Sequence, residues 1–172
     1  CRERGIPYLI DACQSVGQFP VDVKDIQCDF LSGTFRKFMR GPRGAGFLYV
    51  SDEILKSSLE PLLIDMRGAD WNEKDSYTLR ADARRFEEWE LPYALVVGSK
   101  AAADYALNVG LEEIRNRNAY LGNILRKKLT DKGFTLMDKG NHLSSIITVK
   151  IPGKDANDTL QFLRQKNINT SL

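Results

Sequence analysis

Apolar and polar positions follow two rhythms along this chain, one short and strand-like, the other helical. Tyr8 to Ile10 is a brief apolar run ending on Asp11, which predicts a buried strand with an acid at its C-terminal end. Val21-Asp22-Val23 and Cys28-Asp29-Phe30-Leu31-Ser32 predict further short strands or a turn between them, and Gly46 to Val50 another strand behind a turn rich in Gly and Pro. Ser51-Asp52-Glu53 predicts a helix start, with Ser51 as N-cap and two acids in the first turn, running to about Ser58. Residues 61–84 carry little periodicity and read as a long excursion with some strand in it.

Helical spacing returns from Pro92 to Val109, where Gly110 supplies a stop, and again from Leu111 to Asp131, ending at Lys132-Gly133. Phe134-Thr135-Leu136 and Ile146 to Ile151 are strand-like. Asp155 to Lys166 predicts a helix with Leu160 and Leu163 facing inward, and Ile168 to Leu172 the beginning of another strand. The order predicts an α/β region over 1–110 and a compact α+β unit over 111–172, with the boundary near Gly110 and no linker, repeat or low-complexity segment.

Composition narrows the class. Of 172 residues, 42% are hydrophobic and 28% charged, close to the usual values for a folded soluble chain, so disordered and fibrous classes drop out. Basic and acidic residues number 25 and 23 and are interspersed, giving a net charge of +2; the longest basic block is Arg126-Lys127-Lys128, so nucleic acid is not implied. Apolar runs are only strand length and no signal peptide is visible, so no membrane partner is expected. Cys1, Cys13 and Cys28 form neither a CxxC pair nor an even set, which fits a reducing, cytoplasmic setting. The chain opens on Cys1 without an initiator Met and closes inside a strand pattern, so both ends are expected to be cuts in something longer.

Three pieces of the first 50 residues fit one kind of chemistry. Pyridoxal phosphate needs an amine for its Schiff base, a carboxylate to keep the pyridine nitrogen protonated, and cationic or hydroxyl groups for its phosphate. Lys37, Asp11, Thr34 and Arg36 are such a set. The solitary His142 lies in a polar turn with no second histidine to pair with it, and no metal site is read from the sequence. Cys28 reads as a core residue, and Trp71 and Trp89 as packing residues or as lining of a substrate mouth.

The ordered series Asp11-Ala12-Cys13-Gln14-Ser15-Val16-Gly17, Val21-Asp22-Val23, Cys28-Asp29-Phe30 and Lys37, followed by Gly41-Pro42-Arg43-Gly44-Ala45-Gly46-Phe47-Leu48-Tyr49, resembles the class V aminotransferases among the fold-type-I pyridoxal phosphate enzymes. The likeness is nearest to the isopenicillin N epimerase-like and cysteine desulfurase-like members and extends through Ala83-Arg84-Arg85-Phe86-Glu87 and more loosely to the C-terminus. The resemblance implies that residues 1–110 are the C-terminal half of the large cofactor-binding domain, a mostly parallel sheet with helices, and that 111–172 are part of a small C-terminal α+β domain. It also implies that Asp11 pairs with the pyridinium nitrogen, that Gln14 binds the phenolic oxygen, that Cys13 lies against one ring face where the family usually has a small residue, and that Thr34 and Arg36 contact the phosphate. Lys37 would hold the cofactor and then move the proton of the substrate α-carbon, with Arg36, Arg40 and Arg43 favouring its neutral form.

Family members are typically more than twice as long and are expected to be homodimers acting on an amino acid by transamination, epimerisation or cysteine or selenocysteine lyase chemistry. This chain is expected to be an inactive fragment of such an enzyme. One departure stands out: where many relatives read Arg-Phe-Glu-Ala-Gly-Thr, with the threonine reaching the partner subunit's cofactor phosphate, this chain reads Arg85-Phe86-Glu87-Glu88-Trp89-Glu90. A second reading from a different class is a non-catalytic α/β module whose glycine-rich turn binds a phosphate-bearing ligand or has only a structural role.

Overall fold

A computed structural model describes all residues, 1–172, and separates them into two compact units, Cys1–Glu112 and Glu113–Leu172. In the first unit, β1 (Leu9–Asp11), β2 (Phe30–Thr34) and β3 (Gly46–Val50) form a sheet in that order. β1 and β2 run parallel with Ile10 opposite Leu31 and Asp11 opposite Ser32, whereas β2 and β3 are antiparallel with Leu31 opposite Tyr49. Paired residues share a face, so Ile10, Leu31 and Tyr49 point together. They meet Ala12, Cys28, Val16, Val21 and Val23 in the core of this unit, where Cys28 is buried as its apolar surroundings predict.

The crossover between β1 and β2 differs from the strand reading of Val21–Val23. Asp22 accepts the backbone N–H of Lys24 at 2.8 Å, and the chain turns into the one-turn helix α1 (Val23–Ile26). A capping aspartate outweighs the β-propensity of two valines here, because both valines still reach the core from the turn. Within β2, Gly33 leaves room for its neighbour: a Cβ there would stand 2.4 Å from the Phe47 ring as it now lies, across the strand and edge-on to Phe35.

Ser51 caps α2 (Asp52–Lys56) by accepting the N–H of Ile54 at 3.3 Å. The excursion that follows contains the hairpin of β4 (Ala69–Glu73) and β5 (Ser76–Leu79) and a single 3-10 turn over Ala83–Phe86. It is tied down by Arg85, 6% exposed, whose guanidinium donates to the carbonyls of Leu55, Leu59 and Arg80 at 3.0 to 3.1 Å. α3 (Tyr93–Val109) then packs against the glycine-rich turn before β3: a Cβ on Gly98 would touch Pro42 at 3.3 Å, and one on Gly41 would touch Ala102 at the same distance.

The second unit holds most of α4 (Leu111–Asp131), the short pair β6 (Thr135–Leu136) and β7 (Val149–Lys150), and α5 (Ala156–Gln165) capped by Asp155. Leu160 is buried and Leu163 half-buried, as the helical spacing predicts. The ladder is shorter than the apolar run Ile146 to Ile151 predicts. Ser144 Oγ takes the N–H of Ile146 and Asp138 takes that of Thr148, so those groups are engaged by side chains. Ile168 to Leu172 forms no strand; the N–H of Ile168 caps α5 on the Leu163 carbonyl. No helix is long and apolar enough to cross a membrane.

Candidate functional site

Asp11 ends β1 and Thr34 ends β2, so the C-terminal edge of the parallel pair carries both, and this is the edge at which open α/β sheets place ligands. The chain leaves β1 through two interlocked turns. Ala12 accepts the N–H groups of Ser15 and Val16, Ser15 accepts those of Gln18 and Phe19, and the Gln18 side chain bonds the Gln14 carbonyl. It leaves β2 through the turn bearing Arg36 and Lys37, closed by Arg40 N–H on the Lys37 carbonyl at 2.9 Å and Gly41 N–H on the Phe35 carbonyl at 2.7 Å.

Asp11 accepts the backbone N–H of Cys13 at 2.9 Å. The Cys13 side chain together with that N–H holds the Asp11 carboxyl below its ordinary range against the opposing effect of burial, with the charge of Lys37 as the least of the contributions. Cys13 responds in the other direction. Its hydrogen bond to Asp11 and its burial push the thiol up, more than the positive charges of Lys37 and Arg36 pull it down. Asp11 therefore feels the charge of Lys37, and Cys13 the charges of both Lys37 and Arg36, beside an ionised carboxylate and a protonated thiol that bond each other.

Gln14 and Arg36 are exposed and Lys37 is half-buried. Thr34 donates its hydroxyl to the Ala45 carbonyl at 3.4 Å, a long bond that a better acceptor would displace. Arg40, in the left-handed region at φ 57, is drawn aside over the Tyr105 ring, 5.6 Å from its centroid.

His142 is exposed, and no group of three His, Cys, Asp or Glu side chains converges anywhere in the chain. Trp71 is 79% exposed on the hairpin, and Trp89 is exposed with Arg67 over its ring at 5.9 Å. Glu87 pairs with Arg67 at 3.6 Å, while Glu88 and Glu90 face solvent. Two residues escape a reading by composition and spacing. Gly17 closes the first motif with φ 88 and is buried against the turn of Lys37, and Arg85 acts on three distant carbonyls. Only the position of Gly17 at the end of the motif hints at its part.

The model of the family described as aminotransferase class-V matches residues 1–171. The chain is 29% identical over 160 residues to the probable cysteine desulfurase of Methanothermobacter thermautotrophicus, an alignment covering 92% of this chain and 40% of that one. It is 33% identical over 126 residues to the probable cysteine desulfurase of a Synechocystis strain, covering 72% of this chain and 29% of that one. Among solved structures, the apo cysteine desulfurase of Thermococcus onnurineus superposes with a TM-score of 0.86 at 26% identity, over 97% of this chain and 42% of that one. The chain thus spans no more than about two fifths of these relatives.

Proposed function

Because the chain belongs to the class-V aminotransferase family, whose members are pyridoxal phosphate enzymes, we propose that the protein of which these residues form part binds that cofactor through Lys37 and acts on an amino acid. The observation that carries this reading is the placement of Asp11 at the end of β1 and of Lys37 in the closed turn that follows β2, at the same C-terminal edge of a parallel strand pair. The residues present fit the cofactor: Asp11 suits a protonated ring nitrogen, Thr34 and Arg36 suit a phosphate, and the Lys37 amine suits the aldehyde carbon. When bound, the cofactor's ring accepts the electron pair left at the substrate α-carbon.

Within this reading each side chain has one task. Asp11, held in its charged form by Cys13, keeps the ring nitrogen protonated. Cys13, kept protonated, would not act as a nucleophile toward the cofactor or substrate. Gln14 binds the phenolic oxygen. Lys37 carries the cofactor and then moves the proton at the α-carbon. Cysteine is the favoured substrate because the relatives reported above are named as cysteine desulfurases, and C–S cleavage is the favoured reaction over transamination or epimerisation. The unit 1–112 serves as part of the large cofactor-binding domain and the rest as part of the small domain of a cytoplasmic homodimer. These 172 residues alone would not turn over substrate. The alternative of a phosphate-binding glycine turn loses ground, since Gly41 is apposed to Phe35 and Ala102 and Gly44 to Leu95.

The test uses the full-length protein. Pyridoxal phosphate should give a visible absorption band, borohydride should fix a cofactor-mass adduct on Lys37, and both should vanish in Lys37→Ala. Cysteine with a thiol reductant should then release sulfide. An adduct on another lysine would sink the assignment, and amine transfer without sulfide would make transamination the reaction.

A further inference from the structure

Two rigid turns meet at this site, and they meet at a glycine. One is the double turn 12–19 that follows Asp11; the other is the closed turn 35–41 that carries Lys37. Gly17 is buried with φ 88, and a Cβ placed on it would stand 2.6 Å from the carbonyl carbon of Phe38, 2.7 Å from the Met39 nitrogen and 2.9 Å from the Phe38 oxygen. All three atoms belong to one peptide, Phe38–Met39, which begins one residue after Lys37. They are backbone atoms, which cannot swing away as a side-chain tip does.

We infer that Gly17 is a positioning residue for Lys37: by lacking a side chain it lets the Asp11 turn and the Lys37 turn dock backbone to backbone, and so sets the distance between carboxylate and amine. This rests on the cofactor reading above. The steric argument has a scale. Carbon atoms in contact sit about 3.5 Å apart, so a methyl group at 17 must drive the two turns apart by roughly 1 Å. Displacements of about 1 Å at a reacting group cost on the order of a hundredfold in rate. Neither turn yields easily, because the first is locked by four backbone hydrogen bonds to Ala12 and Ser15 and the second by those from Arg40 and Gly41. The positive φ adds a second penalty for any L side chain at this position.

Gly68 supplies the control. It is also buried, and a Cβ there would meet the Arg85 carbonyl oxygen at 2.8 Å, far from Lys37 in the sequence and outside the candidate site. In the full-length protein loaded with pyridoxal phosphate, Gly17→Ala should shift the pH midpoint of the cofactor band by about half a unit or more and reduce the borohydride-fixed adduct on Lys37. Gly68→Ala should lower the thermal midpoint and move neither. The inference is overturned if Gly17→Ala leaves both readouts unchanged, or if Gly68→Ala moves them equally.

Should Gly17→Ala fail to fold, hydrogen exchange of the unaltered protein decides the matter. Amides of Gln18 and Phe19 in the first turn and of Arg40 and Gly41 in the second should open with the same free energy. Opening of the Lys37 turn while the first stays protected would overturn the inference. A wild-type protein with no cofactor band would instead refute the cofactor reading, and the exchange result would still judge the docking of the two turns.

Discussion

Asp138 Oδ2 lies 2.8 Å from Arg126 Nε, and the two side chains are 10% and 7% exposed. Burial pushes the Asp138 carboxyl up, but the N–H of Thr148 and the guanidinium of Arg126 outweigh it and hold it below its ordinary range. Arg126 also donates to the carbonyls of Ser144 and Ile146, so one cation closes the loop 138–148 onto α4. Gly122 leaves room for it, since a Cβ there would stand 2.8 Å from the guanidinium.

Breaking this pair from one side should be costly. Arg126→Met leaves a buried carboxylate without its counter-charge, and a loss of about 3 to 5 kcal/mol is expected from denaturant unfolding of the second unit. The double variant Arg126→Met with Asp138→Leu should cost less than the two single losses added, because no charge is then left unpaired.

Acid should weaken the same unit. A carboxyl with a depressed folded pKa contributes stability that is present above its unfolded value, 3.8, and is lost as pH falls through the folded value. Stability at this site should therefore hold from neutral pH to about pH 4 and decline below it. In Asp138→Asn that acid dependence should disappear, as measured by exchange of the Thr148 amide against pH.

Removing the Asp11 charge should awaken the neighbouring thiol. The bond to Asp11 is the largest cause of the raised Cys13 value, while Lys37 and Arg36 pull the other way. Alkylation of Cys13 at pH 7.5, roughly a unit below an ordinary thiol, should accelerate in Asp11→Asn when followed by mass spectrometry. An unchanged rate would refute the coupling of the two groups.

Losing Arg85 should loosen the excursion 59–85 without touching the Lys37 turn. Three carbonyl bonds made by one buried guanidinium disappear together in Arg85→Ala, and a cost of about 3 kcal/mol or more is expected. Arg85→Lys should recover only part of it, since a single ammonium cannot span carbonyls of Leu55, Leu59 and Arg80 in a fixed fork. Limited proteolysis within 60–80 reads the effect.

A smaller loss is expected at the start of α2. Ser51 is buried and accepts the Ile54 N–H, so Ser51→Ala should cost about 1 kcal/mol, by thermal unfolding.

The helices were the most legible part of this protein, for a local reason. Ser51 and Asp155 cap the helices they precede, Gly110 ends α3 at φ 93, and the spacing of Leu160 and Leu163 places them inward. Each signal lies within a turn of the element it governs. Short apolar runs were less decisive. Val21–Val23 has strand composition yet turns into a helix under Asp22, and Ile146 to Ile151 yields only two ladder residues because Ser144 and Asp138 take its N–H groups. Periodicity reports burial, whereas pairing depends on which partner reaches the backbone first.

By itself the sequence determined most of the order of elements, the candidate set Asp11, Cys13, Gln14, Thr34, Arg36 and Lys37, and the family whose pattern they follow. Tertiary structure decided what those residues feel and what holds them. It put Asp11 and Cys13 in the field of Lys37, some two dozen residues away, seated Gly17 on the Phe38–Met39 peptide, and gave Arg85 and Arg126 their distant acceptors. The physical reason is range. Caps and periodicity act within about four residues along the chain, while charge coupling and backbone docking act through space between segments that only folding brings together.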